Sequence, residues 1–195
     1  MQKSYDIAHS RPVRVRFLLA GSDMTSSVLT TGLATVLASP LTPTAFQSFG
    51  TVLQAPTGSG RTINAGSSER FDLVDDLQLG AEGGRAQLAL FRAQARSFPL
   101  NVQDLECHRL GSQTFVPWGA GRFALVVARA GEPPTASSLQ AFVTDGRQGV
   151  VLAPGTWHHA LLAVDAGDFL VIERAASVVD CEIHRLDKPV RLEGL

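Results

Sequence analysis

A chain of 195 residues with 45% hydrophobic side chains holds enough apolar material for one domain with a sizeable core. Its formal net charge of −1, without a sustained basic run, leaves no electrostatic footprint for nucleic acid, and no apolar run is long enough to span a bilayer. The only cysteines, Cys107 and Cys181, stand in no zinc-type spacing and fit reduced thiols in a cytoplasmic protein rather than a disulfide scaffold.

Residues 1–36 read as an N-terminal extension, disordered or preceding the native start, and residues 37–195 as the folded domain. The apolar stretch Phe17-Leu18-Leu19-Ala20 after Arg11, Arg14 and Arg16 is too short for a secretory signal, Asp6 and Asp23 weigh against a transit peptide, and Met24 offers an internal start. Thr42-Pro43 followed by Ala45 to Gly50 predicts a short helix, with Thr42 as cap, Pro43 in the first turn and Gly50 as the stop. Thr51-Val52-Leu53 reads as a strand and Pro56 to Gly60 as a turn-rich linker. Ile63 to Leu73 is polar and mixed, and Leu79 to Gly84 reads as a loop.

Strand signals then come in series. Leu88 to Arg92 is the first, and Phe98 to Leu105, with Pro99, reads as a polar connection. Gln113 to Pro117, the apolar run Phe123 to Ala128, and the alternating Leu139 to Val143 follow. Asp145-Gly146 is a turn signal. Gly149 to Ala153, His159 to Ala163 and Phe169 to Ile172 close the series. Short strands with turn chemistry in every gap predict an all-β sandwich or barrel.

Two islands carry the chemistry, Glu106 to Pro117 and Pro154 to His159. Residues 106 and 108 share one face of a strand, Gln113 returns to that face on the next strand, and His158 enters a strand after Pro154-Gly155. His159 and Cys107 alternate away. Polar ligand-type residues planted in the strands of such a barrel converge on its interior, whose mouth is a common small-molecule site and where buried ionisable groups need a ligand or partner to satisfy them. The spacing resembles the two motifs of the cupin barrel, with Glu106, His108 and Gln113 in the first and His158 in the second. Such nitrogen and oxygen donors suit a divalent metal held by His108, Gln113 and His158. Arg70, Arg92 and Arg174 are candidates for gripping a carboxylate, each with a surface ion pair as the plain alternative.

Over roughly residues 41–189 the chain resembles the ureidoglycolate lyase family, formerly called ureidoglycolate hydrolase. The segments that carry the resemblance are Ala45-Phe46 through Gly50, Ile63-Asn64 with Glu69-Arg70, Asp104 to Glu106, His108 through Pro117, Ala141 through Val150, Thr156 to His159, and Phe169 to Arg174. The resemblance implies a cupin-like β-barrel of jelly-roll type with a few short helices. It implies a homodimer of allantoin catabolism that splits the small molecule (S)-ureidoglycolate into glyoxylate and urea, with nickel or another divalent metal and no organic cofactor. His108, His158 and Glu106 are then the catalytic candidates, and Arg70, Asn64 and Gln113 the substrate-binding ones. Two positions depart from the family pattern: Arg109 stands where proline is usual, and Cys107 where arginine is frequent. A non-catalytic cupin-like module that binds or senses a small acid is the alternative reading.

Overall fold

The run Phe123-Ala124-Leu125-Val126-Val127-Ala128 lacks the polar alternation of a half-exposed strand. The computed structural model, which describes residues 32–195, shows why: all six residues are buried. Phe123, Leu125 and Val127 point into one apolar cluster, and Ala124, Val126 and Ala128 into another. Period-two alternation makes this strand a wall shared by two cores.

In chain order the strands are β1 (Ala34–Pro40), β2 (Gly50–Leu53), β3 (Arg61–Ile63), β4 (Ser68–Arg70), β5 (Arg85–Ala93), β6 (Leu100–Cys107) and β7 (Gln113–Pro117). They continue with β8 (Phe123–Ala128), β9 (Gln140–Val143), β10 (Gly149–Leu152), β11 (Trp157–His158), β12 (Leu162–Ala163), β13 (Gly167–Ala175) and β14 (Glu182–Glu193). One short helix, α1 (Pro43–Phe46), lies between β1 and β2. The first sheet runs β11-β6-β14-β1-β9-β8-β12, and a further β11–β8 pairing closes six of its strands into a barrel. Within it β1 is parallel to both neighbours, β14 and β9. The second sheet runs β2-β10-β7-β13-β5, and β3 and β4 form a separate hairpin. The fold is all-β and cupin-like. Among the described residues no helix is long and apolar enough to cross a membrane.

The ring's interior is filled from its own strands, by Val102 and Leu105 of β6, Val126 of β8, Trp157 of β11, and Val190 and Leu192 of β14. Small side chains at Ala124, Ala128 and Ala141 share this cluster with the fully buried Trp157, as close packing requires. The other cluster lies between ring and second sheet and is rich in phenylalanine. Phe46 meets Phe142 edge-on at 5.6 Å, and Phe123 meets Phe169 at 5.7 Å.

Several elements differ from the sequence expectation. Thr42 caps α1, its hydroxyl accepting the Ala45 N–H at 3.2 Å, but the helix ends at Phe46. Gly50 does not stop it; with φ +148° it opens β2, where a Cβ would lie 1.9 Å from the Val151 carbonyl oxygen. The stretch from Leu100, expected as a polar connection, is the strand β6. Of the expected strand His159 to Ala163 only Leu162 and Ala163 form strand, as β12; β11 ends just before it at His158, and between the two His159 N–H donates to Val126 O at 2.9 Å. β14 lies where no strand was expected, and β1 begins at Ala34, within the stretch read as an extension. The rest of that reading, including the start at Met24, falls on residues 1–31, outside the described residues.

Candidate active site between the two sheets

Two cross-strand pairs build the site. On the ring, His158 of β11 stands directly opposite Glu106 of β6. On the second sheet, Gln113 of β7 stands directly opposite Glu173 of β13. Alternation then sorts the neighbours. Trp157 and Cys107 turn into the ring's apolar interior, so Glu106 and His158 face the other way, toward the second sheet. Gln113 shares its face with Phe115, and Glu173 with Val171, both members of the inter-sheet core. The polar pairs therefore extend the rim of that core, and the ring's own interior stays apolar.

His158 is 1% exposed, and its ring is held at both nitrogens. Nδ1 donates to the Thr156 carbonyl at 2.9 Å, while Nε2 faces Gln113 Oε1 at 3.0 Å and Glu106 Oε1 at 3.4 Å. Gln113 Nε2 donates in turn to Glu173 Oε2 at 3.0 Å. His108 follows β6 directly, its Nδ1 donates to the Asp180 carbonyl, and its ring centre lies 5.2 Å from that of His158. Its Nε2 is buried and has no hydrogen-bond partner. The Asp180 carboxylate accepts the backbone N–H groups of Arg109 at 2.8 Å and Leu110 at 2.7 Å, tying the segment before β14 to the turn after β6. Burial disfavours ionisation of Glu106, but the hydrogen bond and charge of His158, with His108 and His159, outweigh it and hold the carboxyl below the ordinary carboxylate range.

These groups border a cavity of ≈ 470 Å³ lined by Glu106, His108, Gln113, Glu173, Arg174 and Cys181, among others. His158 sits behind Glu106 and Gln113. Arg174 is the only Arg or Lys in the lining among the described residues. Its side chain lies where Gly84 and Gly111 have none, since a Cβ at either would fall within 2.6 Å of it. Nε donates to Ala81 O at 2.9 Å and Nη2 to Glu82 O at 3.3 Å, while Nη1 is buried without a partner.

The donor set fits a divalent cation. Glu106, His108 and His158 each bring a ligand atom within 4.8 Å of the others. In both histidines Nδ1–H is spent on a backbone carbonyl, so Nε2 is the nitrogen turned to the site: with a proton, that of His158 donates to Glu106, and without it Nε2 offers a cation a lone pair. Around His158 Nε2 the other groups are acceptors only, an arrangement that a cation satisfies. The two separations at His158 Nε2, 3.0 Å to Gln113 Oε1 and 3.4 Å to Glu106 Oε1, match donors about 2.1 Å from one cation, which stand about 3.0 Å apart at a right angle and about 3.4 Å apart at a tetrahedral angle. The cavity's carboxylates also outnumber its single guanidinium, so a bound cation balances charge there.

Of the residues singled out in the sequence, Glu106, His108, Gln113 and His158 come together. Arg70 and Asn64 do not join them. Both lie on the exposed β3–β4 hairpin, outside the cavity lining, with Arg70 paired to Asp72 at 2.6 Å. Arg92, the third guanidinium considered, pairs with Asp168 at 2.8 Å on the surface. Cys107 and Arg109 do not line the cavity either: Cys107 is buried in the ring, and the Arg109 guanidinium binds Glu182 at 2.7 Å over the Trp157 ring. Glu173 escaped sequence reasoning although a signal existed, because in the alternating series Phe169, Val171, Glu173 a carboxylate takes the core-facing position. Asp180, set in an irregular segment, carried no such signal.

Comparison with known proteins agrees with this geometry. The model of the family described as ureidoglycolate lyase matches residues 33–193. A ureidoglycolate lyase of Pseudomonas fluorescens (strain SBW25) is 38% identical over 159 residues, covering 81% of this chain and 95% of the relative. One from Pseudomonas syringae pv. syringae (strain B728a) is 40% identical over 146 residues, covering 74% of this chain and 86% of the relative. One from Pseudomonas putida (strain F1) is 38% identical over 151 residues, covering 77% and 90%. A family match across the whole barrel, with relatives alike over most of both lengths, establishes that the chain belongs to the ureidoglycolate lyase family.

Proposed function

We propose that this chain is a lyase that cleaves (S)-ureidoglycolate into glyoxylate and urea in allantoin catabolism. The observation that carries the reading, beside the family match, is a carboxyl group, Glu106, placed between a buried imidazole and an open cavity. Ureidoglycolate is a hemiaminal, with hydroxyl, carboxylate and ureido nitrogen on one carbon. Its cleavage moves one proton from oxygen to nitrogen while the C–N bond breaks and the C=O bond forms. No electron changes hands, so no redox cofactor is needed.

Glu106 does the proton work. Oε1 faces His158, and Oε2 lies on the side of Cys181, 4.0 Å from its sulfur, where the cavity is. Oε2 accepts the hydroxyl proton as the carbonyl forms and returns it to the ureido nitrogen as urea departs. His158 keeps the carboxylate ionised and aimed. Arg174, the guanidinium in the cavity lining, takes the substrate carboxylate. A divalent cation, Ni²⁺ by the family resemblance, would be held by His108, His158 and Gln113 with Glu106 beside them. When bound it supplies a Lewis acid that offsets negative charge on the substrate oxygens. The chain acts as a cytoplasmic homodimer, and the sheet-edge strand β5, which exposes Leu88, Leu90 and Phe91, supports the pairing.

The test is direct. Purified protein incubated with racemic ureidoglycolate is expected to release urea and glyoxylate enantioselectively and without ammonia, after subtraction of spontaneous decay. Ammonia release would mark an amidohydrolase instead. Saturable binding without turnover, seen as thermal stabilisation, would mark a binding module.

A further inference from the structure

We propose that Glu173 is a positioning residue of this site: it fixes the Gln113 amide so that the carbonyl oxygen, and not the NH2 group, faces His158 and the cation. The inference rests on the cation reading given above. A glutamine amide has two ends of nearly equal shape, one a pure acceptor and one a pure donor. Steric fit cannot choose between them in a buried pocket, so the hydrogen-bond partners must.

The two partners here are not equivalent. His158 Nε2, 3.0 Å from the amide oxygen, offers its lone pair when a cation takes the place of its proton, Nδ1–H being spent on Thr156 O. A reversed amide would satisfy that lone pair with an N–H and so cap the nitrogen that the cation needs. Nothing on the ring side prevents this self-capped arrangement. Glu173 does. Its carboxylate accepts only, stands directly across the β7–β13 ladder from Gln113, and takes the Nε2 hydrogen at 3.0 Å. Reversal would set the amide oxygen against a carboxylate and forfeit a charge-assisted hydrogen bond. The strand register, Glu173 against Gln113, thus sets the polarity of a side chain that reaches the opposite sheet. Glu173 acts through Gln113 and does not itself hold the cation.

The experiment is Ni²⁺ titration calorimetry on the chelator-stripped full chain, with circular dichroism to monitor folding. Glu173→Gln is expected to weaken Ni²⁺ binding by about 10- to 100-fold, the usual cost of losing a supporting partner behind a metal ligand. Combining it with Gln113→Glu exchanges donor and acceptor across the pair. A carboxylate at position 113 offers oxygen whichever way it turns, so the exchanged protein is expected to recover wild-type affinity to within about 10-fold, a rescue that a purely structural role for Glu173 does not provide. Unchanged affinity in Glu173→Gln overturns the inference alone, as does a folded exchange variant no tighter than the single one. Should the single variant not fold, the exchange variant decides by itself: a folded protein that fails to bind Ni²⁺ overturns the inference. A wild-type chain that binds no Ni²⁺ removes the cation reading and this inference together.

Discussion

At Glu106 two opposing forces set the charge. Burial pushes the carboxyl toward its neutral form, and His158, His108 and His159 pull it back below the ordinary range. Because the folded carboxyl releases its proton more readily than the unfolded one, its stabilisation is present above the ordinary carboxylate range and fades as pH falls through the lowered value. The acid limb of the kcat/KM profile is expected at that lowered position. In His158→Ala it is expected to move toward neutral pH while turnover drops by at least about 100-fold. A pH–rate profile of a folded variant with an unmoved limb and near-normal turnover would remove both roles from His158. Cys107 and Arg109, the departures beside the first island, matter differently. Burial pushes the Cys107 thiol up to about 11, which keeps it protonated and inert as a core side chain. Arg109 contributes a backbone N–H to Asp180 that proline lacks, so Arg109→Pro is expected to lower stability by about 1 kcal/mol, measurable by urea titration.

Strands were legible where both the face and the period were simple. β7 and β8 fall on the segments read from the sequence, because an apolar run or a clear period of two left one interpretation. β6 and β14 were not legible. Their exposed faces carry Asn101, Asp104, Arg185 and Asp187, and β14 also contains Pro189 and a register shift against β6, so polar composition outweighed the few buried positions. The site was legible to the extent that its residues sit in islands. Glu106, His108, Gln113 and His158 were found by spacing, whereas Glu173 became visible only when pairing placed it beside Gln113. Arg70 shows the converse: an arginine in a family segment that its hairpin turns away from the cavity, onto Asp72. Backbone approach gives a prediction at this scale. Gly50→Ala would drive a Cβ into the β10 backbone at a φ that L residues avoid, and is expected to destabilise the protein by about 3 kcal/mol. A melting temperature within error of wild type would show that β2 shifts freely against β10.

With Glu106, His108 and His158 on the ring and Gln113 on the second sheet, a cation held as proposed would strap the two together. Cation binding is therefore expected to hold the ring against the second sheet: addition of Ni²⁺ at about 100 times its dissociation constant stabilises the fold by about 2.7 kcal/mol, and a chelator reverses it. A chelator-insensitive melting curve would place the cation elsewhere. The ring has its own dependence. A chain beginning at Gly32 keeps β1 between β14 and β9, whereas one beginning at Leu41 exposes both of those edges and is expected to lose cooperative unfolding, monitored by circular dichroism.

The parallel placement of β1 against β14 also has a cost during synthesis. Among the described strands β1 leaves the ribosome first and β14 last, yet they are neighbours, separated by about 140 residues of intervening chain. Until β14 is released, the nascent barrel presents open edges on β1 and β6, with the apolar lining of the ring exposed between them. The finished protein conceals those edges entirely, so its hazard is one of timing. Slowing translation within β14 should lengthen exposure to aggregation without altering a single contact in the folded state.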